Sequence, residues 1–529
     1  MNNLQILDCT LRDGGYINNW NFGNRIIRRI LRYLSDAHID IIECGFLSDT
    51  EYDKDKSIFN HPSQIKNLIV QSQSRHVAMI ALGEKEIAYE KVPVCDESGV
   101  WGIRLTFHKH EIERAFIYAN DLMSKGYQVF IQPVGTCTYT DRELLDLVDK
   151  VNTLNPYAFY IVDTLGTITG TELMRLFQMI DANLNPKICI GFHSHNNLQL
   201  AFSNAQELVH HFTDRNVIVD ASVQGMGRGA GNLCTELIAQ YLNEKIHSSY
   251  NVIPLLEIVD KYLNTIKEQF PWGYTIPYYI SAVNNCHPNY ASFLMNKQTI
   301  NVKDIKKILD RIPPEKRALF DKDYIQDLYA NYLANTIKDD DIIKLLSSEF
   351  NNRTVLLIAP GKSIVSQKEQ IQKFILDFNP IVISVNFIPE DYKIDYVFIS
   401  NMKRFDDIDI SNFATCDYKA IITSNIAGEN KESLLCVNYS SYTNSDYLIS
   451  DNAGLMSLAL LKKCKISEVN LAGFDGFLPD STQNYYSKAL LNNVEYSTLE
   501  NKTNQIREQI KLIRRDMVIN FITKSQYED

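Results

Sequence analysis

No two cysteines stand in a CxxC spacing, although ten are scattered from Cys9 to Cys464. That argues against a disulfide framework and a zinc ribbon. Cys44 and Cys189 lie within apolar runs, which is how reduced, buried thiols of a cytoplasmic protein are used. No apolar stretch is long enough to span a bilayer, and MNNLQILDCT lacks the charged and apolar regions of a secretory leader. A soluble cytoplasmic protein with no membrane partner is therefore expected. Basic charge is also scarce: 53 Lys and Arg against 64 Asp and Glu give a formal net charge of -11, leaving no general basic field for nucleic acid. The most basic stretch, near Arg25 to Leu34, alternates arginines with an apolar helical stripe and reads as the solvated face of a helix. Internal repeats and low-complexity segments are lacking, and no histidine follows His287.

What is present is an ordinary globular composition, 45% hydrophobic and 22% charged over 529 residues. Two or three domains are expected, fewer if one is an α/β barrel. Short apolar runs alternate with amphipathic helical patterns from the start of the chain. The strand candidates are Gln5–Thr10, Ile39–Phe46, His76–Leu82, Val100–Phe107, Gln128–Val134, Ala158–Asp163, Lys187–Phe192 and Val217–Val223, and helical patterns between them include Asn24–Ser35, Glu111–Ser124, Asp141–Leu154, Thr171–Asn183 and Leu198–Phe212. Eight such pairs in sequence predict a (β/α)8 barrel, whose parallel strands are buried on both faces; strand count alone also permits a doubly wound open sheet.

The placement of polar residues favours the barrel. Its chemistry belongs at the C-terminal ends of the strands. There the chain has Arg12, Asp13, Glu43, Arg104, Thr106, Gln132, Asp163, His193 and His195, with the glycine-rich turn GMGRGAGN after the eighth strand. His193 and His195, two residues apart at a strand end, point to one face. A bare HxH is equally a pair of ordinary core or surface histidines. Asp13, from the first strand, can converge on the histidines of the seventh because alternate strands fill the same layer. One carboxylate and two imidazoles suit a divalent ion, Mn2+ or Mg2+ with Co2+ or Zn2+ as other choices, leaving room for a chelating 2-oxo acid. Arg12 would offer donors to an enolate oxygen. Arg104 and Thr106 share a face and would hold a substrate carboxylate, although a buried ion pair would look the same. Asp163 would line the site with Gln132, or cap the next helix.

DCTLRDGG, IIECGF, GFHSHNN and GMGRGAGN, in this order, resemble the metal-dependent DRE-TIM metallolyase (HMGL-like) family, which includes 3-hydroxy-3-methylglutaryl-CoA lyase, 2-isopropylmalate synthase and 4-hydroxy-2-oxovalerate aldolase. The resemblance covers roughly residues 1–310. It implies a metal held by Asp13, His193 and His195, with Asn232 a weaker candidate, an enolate-stabilising Arg12, and Glu43 as an orienter of the arginine or of a metal-bound water. NYASFL, with Tyr290, is similar to the segment where the hydroxyoxovalerate aldolases keep an active-site tyrosine. Those aldolases carry a histidine three residues after the aspartate as the base, and this chain has Tyr16 there. Tyrosine, with an ordinary pKa of about 10, is a poor base near neutrality unless shifted; the proton then falls to a retuned Tyr16, a metal-bound water, Tyr290 or His287. The resemblance implies a metal-dependent aldolase joining a pyruvate-like 2-oxo acid to an aldehyde, which the appended domain suggests is sugar-derived. An acyl-CoA Claisen-type enzyme is the alternative, and a homo-oligomer is expected.

Residues 1–290 are thus read as the barrel, 291–348 as a helical extension completing the site, and 349–529 as a second α/β domain. In the last, the strand TVLLIA runs into the turn APGKS and a helix. Gly361, Lys362 and Ser363 would present amides to an anion, yet neither GxxxxGK[ST] nor GxGxxG is present. The segment resembles Rossmann-like nucleotide-sugar-using proteins, in particular the bacterial sialyltransferase group, which implies a nucleotide or sugar-phosphate ligand. That group uses a late histidine, which this chain lacks, so a glycosyltransferase-like and a regulatory nucleotide-binding role both stand. Strand-end logic adds Asn386, Ser400, Asn401 and Asp475 to the pocket.

Overall fold

The computed structural model describes residues 4–69, 72–96, 99–211, 214–408, 416–426, 434–446, 448–479, 484–487 and 496–528. They form two compact units: Met1–Ala291 with Pro313–Phe320, and Ser292–Ile312 with Asp321–Asp529. The segment 291–348 is thus divided, with Ala291 and Pro313–Phe320 in the first unit and the rest in the second. Among the described residues no helix is long and apolar enough to cross a membrane.

The first unit is a closed parallel barrel. Its strands are β1 (Leu4–Asp8), β2 (Ile41–Leu47), β4 (Arg75–Ala81), β5 (Gly102–Phe107), β6 (Gln128–Pro133), β7 (Ala158–Asp163), β8 (Cys189–Ser194) and β9 (Val217–Ala221), with a two-residue β3 (Ile58–Phe59) paired outside β2. Neighbours pair in the order β1-β9-β8-β7-β6-β5-β4-β2, and β1 pairs with β2 to close the ring. All eight expected strands are present, displaced by at most two residues at either end. The expected helices are Asn24–Asp36, Ile112–Ser124, Asp141–Leu154, Gly170–Asn183 and Ala201–His210, while Phe212 lies outside the described residues.

Alternation along each strand sorts side chains into two cores. Ile6, Ile42, Ile80, Ile103, Leu105, Val129, Ile131, Phe159, Ile161, Ile190, Phe192 and Val219 pack outward against the helices. Leu7, Ile41, Val77, Phe130, Tyr160, Cys189 and Ile218 fill the lumen. Space there is tight enough to dictate a glycine: a Cβ on Gly191 would come within 2.2 Å of the Tyr160 ring. On the helix Asn24–Asp36 the apolar stripe Ile27, Ile30, Leu31 and Leu34 is buried, and Arg25, Arg28, Arg29 and Arg32 face solvent, as the 3.6-residue period requires.

The second unit carries a seven-stranded, wholly parallel sheet of β10 (Val355–Ile358), β11 (Ile381–Val385), β12 (Tyr396–Ile399), β13 (Lys419–Thr423), β14 (Leu434–Val437), β15 (Glu468–Ala472) and β16 (Val518–Phe521). The order is β14-β13-β12-β11-β10-β15-β16. Strands β13, β14 and β16 were not apparent from the sequence.

Arg215, just before β9, closes a weak point of the barrel. Its guanidinium donates to the Asp181 carboxylate (2.6 Å) and to the carbonyls of Asp181, Leu184, Asn185 and Ile188 at 2.6–3.1 Å, where the helix Gly170–Asn183 ends. One buried cation thereby satisfies the orphan carbonyls of a helix terminus and favours its dipole. Arg215→Ala strands those acceptors, and chemical denaturation of the full chain is expected to show a loss of about 3 kcal/mol in the barrel transition; an unchanged midpoint contradicts this role.

Candidate active site

The turn after β1 folds back on itself, with Arg12 and Asp13 both donating N–H groups to the Cys9 carbonyl (3.1 and 2.8 Å). This swings Asp13 toward β8. One ligand atom each from Asp13, His193 and His195 lies within 4.8 Å of the other two, and all three residues are buried. His193 Nδ1 is held by Asp220 at 2.9 Å, which leaves Nε2 for a ligand in the way that carboxylates orient metal-binding imidazoles. His195 Nδ1 is buried with no protein partner, as is Asn232 Oδ1. Asn232 donates from Nδ2 to Asp13 Oδ2 at 2.6 Å. Burial pulls His195 down to about 4, with Asp13 opposing, so the ring is neutral. Burial would raise Asp13, but Arg12, the two histidines and Asn232 hold it well below the ordinary carboxylate range.

Beneath these groups runs a sealed chain of charges. Arg12 Nη1 donates to Asp13 (2.6 Å) and Arg12 Nε to Glu43 Oε2 (2.8 Å). The same Glu43 oxygen accepts from Arg104 Nη1 (2.7 Å), and Arg104 Nη2 reaches Asp220, which returns to His193. Two guanidinium groups therefore face three carboxylates, all at most 5% exposed. An uncompensated negative charge is costly in such surroundings. The excess charge and the unpartnered His195 nitrogen fit a divalent cation at this point.

Above the ligands is a cavity of about 590 Å3, lined by Arg12, Asp13, Tyr16, Thr106, Gln132, Thr164, His193, His195, Arg228, Tyr278 and His287, with Ala318 to Phe320 at its edge. Residues 3–261 match the HMGL-like family model. The barrel is a member of the HMGL-like family. Over 279 residues the chain is 26% identical to an oxaloacetate decarboxylase of Mycobacterium tuberculosis, spanning 52% of this chain and 80% of that one. Over 338 residues it is 23% identical to a 4-hydroxy-2-oxovalerate aldolase of Bacillus thuringiensis, spanning 62% and 95%. A crystal structure of an N-terminal domain from Bacteroides vulgatus is 26% identical, covering 55% of this chain and 96% of that one at a TM-score of 0.47.

Within the HMGL-like barrel the expected site residues fall into two groups. Arg12, Asp13, Tyr16, Thr106, Gln132, His193, His195 and His287 meet at the cavity, with Glu43 and Asn232 directly behind. Arg104 does not reach it: the side chain is fully buried, and with the Gln132 amide turned so that its oxygen accepts from the guanidinium, its donors are taken by Glu43, Asp220 and Gln132. It is the buried ion pair, not a substrate clamp. Asp163 also turns away, because it shares the outward parity of Phe159 and Ile161; its carboxylate accepts the Thr167 and Ile168 N–H groups at 2.9 and 3.2 Å and ties the loop after β7. Tyr290 points elsewhere too, its hydroxyl lying 2.9 and 2.7 Å from the Lys316 and Leu319 carbonyls, so that it pins the 316–320 segment.

Tyr16 is retuned, but upward: burial pushes its hydroxyl to about 12, making it a donor and not a base. Its ring packs edge-on to Trp20 (centroids 4.8 Å apart) and Phe46 (6.3 Å). His287 is pushed down to about 3 by burial and by Arg228. Its Nδ1 faces the Asn289 N–H (3.2 Å) and its Nε2 faces an Arg228 nitrogen; donors at both ring nitrogens disfavour the imidazolium.

Two residues escaped the sequence reading. Asp220 is a lone acid in the apolar run VIVDASV, and a buried carboxylate in a two-face-buried strand signals a paired charge. Arg228 stood in plain view within the glycine-rich turn. Its guanidinium lies 5.8 Å from the centre of the Tyr16 ring.

Asp220→Asn should weaken Mn2+ binding by about 10–100-fold, since the His193 ring loses its orienting carboxylate. Titration calorimetry on the full chain measures this, with circular dichroism as the folding control. His195→Ala should abolish the binding, and unaltered affinity removes His195 from the ligand set.

Proposed function

We propose that the barrel is a divalent-metal-dependent lyase that forms or breaks a carbon–carbon bond next to the carbonyl of a pyruvate-like 2-oxo acid, with an aldehyde as the other product or reactant. The observation that carries this reading is Arg12. Its Nη2 is buried without a protein partner while Nε and Nη1 are locked by Glu43 and Asp13, so one donor is held in reserve beside the ligand set. A divalent ion held by Asp13, His193 and His195 would supply Lewis acidity toward the keto oxygen of the substrate.

The protein's own groups divide the remaining work. Arg12 Nη2 meets the charge that develops on the enolate oxygen, and Glu43 keeps it from swinging away; preorganised donors of this kind are worth about 10²–10³ in rate. Gln132, with its oxygen turned to Arg104, presents Nε2 to the cavity, and with the Thr106 hydroxyl it receives the substrate carboxylate. Tyr16 stays protonated and donates a hydrogen bond. His287 serves as the base only after Arg228 has left its Nε2: that nitrogen then takes the hydroxyl proton of a 4-hydroxy-2-oxo acid as the bond to the aldehyde carbon breaks, and returns it in the other direction. Arg228 leaves His287 when an anionic group of the substrate enters.

A second reading, decarboxylation of a 2-oxo diacid, is favoured by the similarity to the M. tuberculosis oxaloacetate decarboxylase. It uses the same enolate. Release of CO2 from oxaloacetate, without aldehyde formation from 4-hydroxy-2-oxo acids, would select it.

In D2O with Mn2+ or Mg2+, pyruvate should lose its methyl proton signal by NMR, and Arg12→Ala should slow the loss by at least about 10²-fold. No exchange with metal demonstrably bound overturns the proposal. His287→Gln should slow cleavage of a 4-hydroxy-2-oxo acid by about 10²–10⁴-fold at unchanged metal affinity; an unchanged rate takes the proton role from His287. Because His287 titrates near 3 and Tyr16 near 12, kcat/KM at saturating metal should show no inflection from either group between about pH 5 and pH 9. A His287-dependent inflection near neutrality contradicts that assignment.

A further inference from the structure

The second unit has a cavity of its own, about 180 Å3, at the C-terminal ends of its strands. The sheet order places β10 at a switch point: the chain runs through β11 to β14 on one side and returns as β15 on the other. In open parallel sheets such a point is where the loops diverge and a ligand crevice opens. Here the walls are Ala359 to Gly361 after β10, Asn386 after β11, Asn401 after β12 and Gly473 to Phe477 after β15. The Gly361 N–H donates to the Gly473 carbonyl at 3.1 Å, and a Cβ on Gly361 would sit 2.3 Å from that oxygen.

The turn expected to hold an anion is already filled. Asp475 accepts the Ser363 N–H at 2.8 Å and also the Ser363 hydroxyl, so a carboxylate of the chain occupies the place that APGKS would offer a phosphate. The helix starting at Ser363 is only four residues long. Positive charge comes instead from other elements. Lys297, Arg404 and Lys502 all line the cavity. Lys297 Nζ sits 5.1 Å from the centre of the Tyr329 ring and Lys502 Nζ 5.8 Å from that of Phe477, so aromatic rings set their positions. Of the two acids in the lining, Asp475 is bound to Ser363 and Asp451 accepts from the Tyr329 hydroxyl at 2.6 Å. The helix Ala453–Lys463 begins in the same wall, with Asn452 as its cap. Asn386, Asn401 and Asn484 add neutral polar side chains, and Tyr485 an aromatic one.

We propose that this cavity binds a phosphate ester, its phosphoryl oxygens received by Arg404, Lys297 and Lys502 and its hydroxylated body by the asparagines. Three cations lining one crevice against two carboxylates, beside a helix N-terminus, match a multiply charged anion better than a carboxylate. The shared chemistry is the phosphoryl group, whether the body is a nucleoside or a sugar.

Calorimetric titration and thermal-shift measurements on the full chain test this with pyrophosphate, CDP, UDP, ADP and glucose 6-phosphate, and with glucose as the uncharged control. At least one organic phosphate should bind, more weakly as salt rises, and Arg404→Gln and Lys502→Gln should each weaken it by at least about tenfold. Circular dichroism and thermal unfolding of both variants should match the unsubstituted chain, which reports that the second unit is folded, and Mn2+ binding to the barrel should stay unchanged. Preference for the nucleoside diphosphates identifies a nucleotide, and preference for glucose 6-phosphate a sugar phosphate. Absence of binding by every phosphate at millimolar concentration, binding of glucose as strong as that of its phosphate, or affinity indifferent to both substitutions overturns the proposal.

Discussion

The barrel's chemistry depends on one buried chain of charges, Asp13–Arg12–Glu43–Arg104–Asp220–His193. It crosses the lumen from β1 to β8 through β2, β5 and β9, so that five strands set the positions of the groups at its ends. Buried ion pairs are weak contributors to stability, because desolvation consumes most of the attraction, whereas removing one member costs about 3–5 kcal/mol. A chain of this kind is better understood as a device for holding geometry. Glu43 Oε2 is shared between two arginines, and Arg104 joins the acid that orients Arg12 to the acid that orients His193.

The floor of the cavity is made by strand ends tied through this chain, and its roof comes from loops. Trp20 Nε1 donates to the Arg12 carbonyl at 2.8 Å, which secures the β1 turn from above. Asn232 reaches Asp13 from the glycine-rich turn, and that turn packs so closely that a Cβ on Gly227 would approach Asp13 Oδ2 to 2.7 Å. Arg228 projects from the same loop to His287. The floor holds the candidate metal ligands, and the roof is built from loop residues, which shape a cavity without altering the scaffold below it.

Both units place polar residues where parallel strands end, for the same physical reason: strand interiors are covered on both faces, and only the diverging loops leave space. They differ in how charge is handled. In the barrel's buried chain three carboxylates face two guanidinium groups and the balance favours a cation. In the second unit Asp475 and Asp451 have protein donors, and Lys297, Arg404 and Lys502 surround the remaining space.

Much of the barrel was legible in the sequence because its signals are local. Apolar runs buried on both faces, amphipathic stripes such as Ile27–Leu34, and an HxH two residues apart at a strand end follow from the periods of helix and strand. The second sheet was less so: β13, β14 and β16 were missed although they are apolar and no shorter than β10 or β12, because an apolar run of four or five residues is equally a piece of buried helix until its neighbours are known. The residues present determined the donor set, Asp13, His193 and His195, and the order in which strands and helices alternate. Only the tertiary structure decided which polar groups face the cavity and which hold others in place. Arg104 and Thr106 share a strand face, but depth in the lumen puts one among carboxylates and the other at the rim, while half a pleat of rotation points Asp163 at a backbone turn. The state of His287 was likewise set by burial and by Arg228, 59 positions away, while burial keeps the Tyr16 hydroxyl protonated against the pull of the same arginine, because solvation and through-space charge depend on three-dimensional neighbours that sequence spacing does not record.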